Sequence, residues 1–192
     1  SPDFAADHTA FAGGEALWRT VNRGITWTQV MSDGVRALAL SPNFAVDGTL
    51  FGGSLHGTFY VSTDTGASWI TRTVAPTAST VNALAVSPAY VSDTTLFAGC
   101  HGGLFRSVDG GVTWAAVSSY PGLPVEALAL SPDWPTDPTM LVGTPAGVYR
   151  TDDGGATWQR SGFTALEVNA LVGARPAAQL FAGTYRQGLF QS

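Results

Sequence analysis

One short stretch recurs four times along this chain. TVNRGITW ends at Trp27, STDTGASW at Trp69, SVDGGVTW at Trp114 and TDDGGATW at Trp158, so the intervals are 42, 45 and 44 residues. A regular period of this length constrains the fold more than any local propensity. Each unit must be one supersecondary element that buries its apolar face only against its neighbours. Aligned on the recurring stretch, the sequence divides into five units, approximately 1–34, 35–80, 81–124, 125–167 and 168–192. The first begins after its opening apolar segment should have ended, and the fifth stops before its turn should begin.

Each complete unit holds four short apolar segments separated by Gly, Pro, Asp and Ser. In the third unit they are Val81–Val86, Thr95–Ala98, Leu104–Ser107 and Thr113–Val117, read as strands A to D. They are too short for helices and rich in β-branched and aromatic residues. VNALAV and VEALAL are almost uninterrupted apolar runs, as strands buried on both faces should be. The Ser-Pro pairs ending at Pro42, Pro88 and Pro132 stop any helix that such segments could start. Four strands repeated at this period specify an all-β propeller of about five four-stranded blades, with incomplete first and last blades.

The recurring stretch has a local job as the turn between strands C and D. Asp64, Asp109 and Asp153 can accept hydrogen bonds from the amides of their own turns, and Gly66, Gly111 and Gly155 allow a backbone that a Cβ would resist. Trp69, Trp114 and Trp158 then open strand D, as Trp27 does in the first copy. There Asn22 replaces the aspartate, keeping the carbonyl and losing the charge. A metal site would miss that charge and a turn would not, so all four are expected to be structural. The pattern Ser/Thr-x-Asp-x-Gly-x-Thr/Ser-Trp resembles the Asp box, or bacterial neuraminidase repeat, of sialidases, xyloglucanases, sortilin-type receptors and photosystem II assembly factors. The resemblance covers essentially the whole chain and implies a propeller whose boxes lie at the blade periphery. It also implies a secreted, periplasmic or cell-surface location.

Composition removes several functions. Charged residues make up 12% of the chain, against about 25% in ordinary domains. None of the nine basic residues is lysine, and the net charge is −5. No basic stripe is present, so nucleic acid is not an expected partner. No apolar segment approaches the roughly 18 residues that a membrane-spanning helix needs. A sialidase-like site needs three convergent arginines, yet Arg19, Arg106 and Arg150 share one strand C position, and Arg72 and Arg160 fall on strand D. Arg36 and Arg186 are left to approach the centre. A hydrolase of the inverting kind needs two carboxylates about 6.5–9.5 Å apart. The glutamates are Glu15, Glu126 and Glu167, while Asp7, Asp47, Asp93 and Asp137 each stand two residues before a threonine in A–B loops and read as caps. No catalytic residue is assigned, and no carboxylate pair at glycosidase spacing with a raised pKa on one member is expected at the channel mouth.

Positions that break the repeat are the informative ones. The B–C loops read GGEA, GSLHG, GCHGG, GTPAG and GTYRQG, and they place Glu15, His56, His101, Tyr185 and Arg186 around one mouth of the ring as candidate ligand contacts. His56, Cys100 and His101 lack metal-ligand spacing, so neither a metal nor a cofactor is expected. The function expected is non-enzymatic: a binding or scaffolding module for a protein or glycan partner. The alternatives are a carbohydrate-binding lectin and a fragment of an Asp-box glycoside hydrolase. Because the end units do not complement each other, another chain or a missing segment is expected to cover the open blade edge. A four-blade closure pairing Val168–Val172 with the first unit would leave QLFAGTYRQGLFQS as a surplus hairpin.

Overall fold

The computed structural model describes residues 1–75, 79–163, 166–174, 179–185 and 188–191. It is a five-bladed β-propeller built from five antiparallel sheets. Blade 1 has β1 (Ala10–Ala12), β2 (Leu17–Thr20) and β3 (Thr28–Met31). Blade 2 has β4 (Ala37–Leu40), β5 (Leu50–Gly53), β6 (Thr58–Ser62) and β7 (Ile70–Thr73). Blade 3 has β8 (Val81–Val86), β9 (Leu96–Cys100), β10 (Gly103–Ser107) and β11 (Ala115–Ala116). Blade 4 has β12 (Ala127–Leu130), β13 (Met140–Thr144), β14 (Gly147–Thr151) and β15 (Gln159–Arg160). Blade 5 has β16 (Val168–Ala174), β17 (Gln179–Thr184) and β18 (Gly188–Gln191). Since β16 pairs with β17 and not with blade 1, the four-blade closure is excluded.

Four apolar clusters fill the four spaces between successive blades. Leu17 of blade 1 meets Tyr60 of blade 2, and Phe59 meets Phe105 of blade 3. Leu104 meets Tyr149 of blade 4, and Val148 meets Val168, Leu171 and Ala182 of blade 5. The period-2 alternation of strand C explains this layout. Its first apolar residue faces the following blade and the next residue, usually aromatic, faces the preceding one. Trp134, an A–B loop aromatic, is buried with its ring 5.4 Å from that of Phe97, as a packing residue rather than an open platform.

The inner end of each junction is a valine laid on a glycine. Val35, Val81 and Val125 are buried, and a methyl added at Gly13, Gly53 or Gly99 would overlap the valine or its carbonyl. At Gly143 the added atom would come within 2.7 Å of the Val168 carbonyl. The valine amides also reach back to the preceding blade. Val35 N–H donates to the Gly14 carbonyl at 2.9 Å, Val81 to Ser54 at 2.9 Å and Val125 to Cys100 at 3.0 Å. Glycine is therefore required here by close approach of the next blade, although it weakens a strand.

The A–B loops contain a feature that the sequence reading did not include. Three of them form single helical turns, α1 (Phe4–Asp7), α2 (Phe44–Asp47) and α3 (Tyr90–Asp93), each closed by a left-handed residue. Four residues are too few to show a 3.6-residue period. The aspartates that read as caps sit here. Asp47 accepts from Thr49 N–H at 2.8 Å and from the Ser41 hydroxyl at 2.6 Å, and Asp93 accepts from Thr95 N–H at 2.9 Å and from Ser87 at 2.7 Å. The serine of each Ser-Pro pair thus ties the loop shut.

Gly99→Ala should lower stability by about 1–3 kcal/mol in urea denaturation, the usual cost of forcing a methyl into a packed core. Gly183→Ala is the control. An added methyl there meets only the Ala170 Cβ, at 3.3 Å, so the loss should be distinctly smaller. Equal losses would contradict the role given to the valine.

Candidate functional site

At one end of the ring lie the A–B loops and the C–D turns, and both are consumed by structure. In the second box Asp64 accepts from Ser68 N–H at 2.9 Å, from the Ser68 hydroxyl at 2.6 Å and from the Ser62 hydroxyl at 2.7 Å. Gly66 N–H donates to the Ser62 hydroxyl at 2.9 Å, and Trp69 Nε1 donates to the Gly66 carbonyl at 3.2 Å. Asp109 and Asp153 make the same three kinds of bond. In the first box Asn22 Oδ1 accepts from Thr26 N–H at 3.0 Å and from Thr20 at 2.9 Å, while its Nδ2 donates to the Thr26 hydroxyl at 2.8 Å. The amide reproduces the carboxylate pattern without charge. Hydrogen bonds to Ser68 and Thr113 hold Asp64 and Asp109 down to about 2, and those to Thr157 lower Asp153 as well.

The opposite end carries the B–C loops and the segments that lead into the innermost strands. Backbone bonds bring the two together. His101 N–H donates to the Thr80 carbonyl and Tyr185 N–H to the Glu167 carbonyl, each at 3.1 Å, and the Thr80 hydroxyl donates to Leu55 O at 3.0 Å. The second residue of each Val-x-Ala-Leu segment stands beside them: Arg36, Asn82, Glu126 and Asn169. Ladder register skips Asn82 and Asn169, which makes them bulge residues. The amides of Arg36 and Glu126 donate to the Gly53 and Gly143 carbonyls, the partners already facing Ala37 and Ala127, which is the same two-against-one arrangement. A bulge re-aims its side chain out of the sheet alternation. One polar residue per complete innermost strand is thereby set at the channel mouth.

Glu126 is the electrostatic centre of this group. Burial pushes its carboxyl above the ordinary glutamate value and the Glu167 charge raises it further, while Arg36 and His101 pull it down. These neighbours come from blades 2, 3 and 5, so the mouth joins side chains far apart in sequence. Glu126 is raised mainly by burial, with Glu167 in its field. Asn82 Nδ2 donates to Val125 O at 3.0 Å and ties the ring to the next blade.

Of the B–C loop candidates, His101 joins this cluster, and Tyr185 is exposed beside Glu167. Glu15 and His56 are exposed on blades 1 and 2 and are not among the charges that Glu126 senses. Arg186 lies outside the described residues. Cys100 is buried, with its thiol pushed up to about 12, which suits packing rather than metal binding. Among the described residues no group of three or more potential metal ligands occurs. Several arginines serve the frame. Arg19 donates to Thr65 O at 3.0 Å, Arg72 to Gly110 O at 3.3 Å, and Arg150 pairs with Asp152 at 2.6 Å. Sequence reasoning missed Glu126, Glu167, Asn82 and Asn169, although the varying x in Val-x-Ala-Leu was the signal that could have found the three that hold that position.

The comparisons agree with the propeller fold. The model of a family described as photosynthesis system II assembly factor YCF48 matches residues 26–174. Among solved structures, an ancestral GH74 enzyme superposes with a TM-score of 0.77 at 17% identity, covering 96% of this chain and 29% of that one. The GH74 xyloglucanase from Xanthomonas campestris gives 0.76 at 19%, covering 97% and 34%. The extracellular domain of a putative one component system from B. thetaiotaomicron gives 0.71 at 18%, covering 95% and 24%. The chain thus spans about a third or less of the length of these proteins, and identities this low establish the fold they share. No curated protein matches the sequence.

Two titrations of opposite sign should appear in the pH dependence of stability. The lowered carboxyls of Asp64 and Asp109 stabilise the fold above the ordinary value of 3.8, and that contribution should be lost as pH falls from there to about 2. Glu126 is raised, so its ionisation opposes folding as pH rises through its folded value. Glu126→Gln should therefore raise the thermal midpoint at pH 7 and leave it unchanged near pH 3. A lowered midpoint at pH 7 would contradict the environment described.

Proposed function

The chain belongs to the family described as photosynthesis system II assembly factor YCF48, and on that footing we propose that it is a non-enzymatic scaffold that binds a protein or glycan partner at the channel mouth. One observation carries the reading. The repeated residues maintain blades, turns and junctions, whereas Arg36, His101, Glu126 and Glu167 differ from their counterparts in other units and are brought together from four blades. A mouth holding both signs of charge, with exposed Tyr185 beside it, suits a polar segment that offers donors and acceptors together. The family description names an assembly factor, which favours a protein segment over a glycan. A location outside the cytoplasm is part of the proposal, supported by the extracellular domain among the similar structures.

A second reading rests on the raised Glu126 with Glu167 in its field and on the GH74 enzymes among the similar folds. An inverting glycosidase employs two carboxyl groups, one of them raised, held about 6.5–9.5 Å apart. In that reading the chain is part of a hydrolase.

Peptide and glycan arrays probed with the wild-type protein, Glu126→Gln and His101→Ala separate the two. Binding should weaken by about tenfold in each variant, roughly 1.4 kcal/mol, while Asp109→Asn on the opposite end leaves it unchanged. Xyloglucan incubated with the wild type should remain intact. Its cleavage, abolished by Glu126→Gln, would replace the scaffold by a hydrolase, and binding untouched by both mouth variants would move the site elsewhere.

A further inference from the structure

Glu126 leaves the sheet from a peptide that is held at both of its polar ends. Its own N–H donates to the Gly143 carbonyl within blade 4 at 2.8 Å. The other end, the Val125 carbonyl, accepts from Asn82 Nδ2 of blade 3 at 3.0 Å. Val125 itself is fully buried, and its N–H donates to the Cys100 carbonyl at 3.0 Å. The Asn82–Val125 bond joins residues 43 apart in sequence and crosses the junction between blades 3 and 4. The Asn82 side chain can reach over because the ladder skips its residue between Val81 and Ala83.

Among the described residues the other junctions lack this bond. The residue equivalent to Asn82 in blade 4 is Glu126, whose carboxyl group has no N–H to give. In blade 2 it is Arg36, and among the described residues no side chain donates to the Val81 carbonyl. Asparagine at this one position is therefore a local device and not part of the repeat's general frame.

We propose that Asn82 is a positioning residue for Glu126: its bond to Val125 fixes the peptide from which the Glu126 side chain departs, and so fixes where that carboxyl sits among Arg36, His101 and Glu167. The peptide is planar, so bonds at both ends resist its rotation, and the direction of the next Cα–Cβ bond follows the plane. Without Asn82 the carbonyl of a fully buried valine loses its side-chain donor, which favours turning it toward water. The Glu126 side chain then swings with it, out of its half-buried place. The effect on ligand binding rests on the function proposed above, whereas the positioning of Glu126 does not.

Two variants test this. Asn82→Leu keeps the side-chain volume and removes the N–H, and Asn82→Ala removes both. Circular dichroism checks the fold of each. Asp109→Ala, at the opposite end of the ring, supplies a variant that loses turn hydrogen bonds without any change near Glu126. The Glu126 carboxyl is titrated by carbon-detected NMR in each protein, with no ligand present. Burial holds it above the ordinary glutamate value in the wild type. It should fall toward that value in both Asn82 variants and stay unchanged in Asp109→Ala. A titration unchanged in both Asn82 variants overturns the proposal, because the bond then only steadies the junction. A fall in Asn82→Ala alone overturns it too, since side-chain volume would be the cause. Binding of the peptide or glycan that the wild type selects from the arrays is the second readout. Asn82→Leu should weaken it about tenfold, as Glu126→Gln does. Weakened binding with an unchanged titration would make Asn82 a direct contact instead. Binding indifferent to Glu126→Gln would defeat the mouth as the binding site, and the ligand-free titration would still decide the role of Asn82.

Discussion

The ring depends on a side chain that is absent. Where the second strand of a blade ends, glycine leaves a space the size of a methyl group, and the valine opening the next blade fills it. The same valine donates its amide to a carbonyl of the preceding blade, so one residue supplies both the apolar and the polar part of the latch. The latch also has a consequence for function. It pins the first residue of the innermost segment and leaves the second to bulge, and that second position carries Arg36, Asn82, Glu126 and Asn169. Packing between blades and presentation at the mouth are two results of one local geometry.

The outer rim is secured by different chemistry. There the strands are short, down to Ala115–Ala116 and Gln159–Arg160, and have little side-chain surface of their own. Hydrogen-bonded turns compensate, with a carboxylate or amide at the centre of each box and a Ser–Asp–Thr tie in the A–B loops of the first four blades. Arginines then link rims: Arg19 reaches the second box and Arg72 reaches the third, each through a backbone carbonyl. Charge is scarce in this chain, and much of it is committed to loops at the end away from the mouth. The few charges at the mouth consequently act on one another with little competition, and Glu126 shows it by responding to three of them.

Much of the architecture was legible in the sequence because a repeat states the same instruction several times. Val81–Val86 was bounded as a strand from its apolar run and the Ser-Pro pair behind it, and the structure has those limits. The helical turns such as Phe44–Asp47 were not legible, since four residues carry no periodicity. The site was half visible. His101 stood out as a polar residue in a loop, whereas Glu126 sat inside an apolar strand pattern, where a single carboxylate looks incidental. Its meaning comes from Arg36 and Glu167, which lie far away in sequence and are brought near by the closure of successive blades. That information belongs to the ring and to no single unit. Arg186 lies outside the described residues.

The account stands or falls on whether four blades deliver their charges to one place. Carbon-detected NMR titration of the Glu126 carboxyl measures this directly. The account predicts a value above that of an ordinary glutamate, raised further in Arg36→Ala and lowered in Glu167→Gln. An ordinary value that ignores both substitutions would contradict it, because the mouth would then be a set of separate loops and not a site.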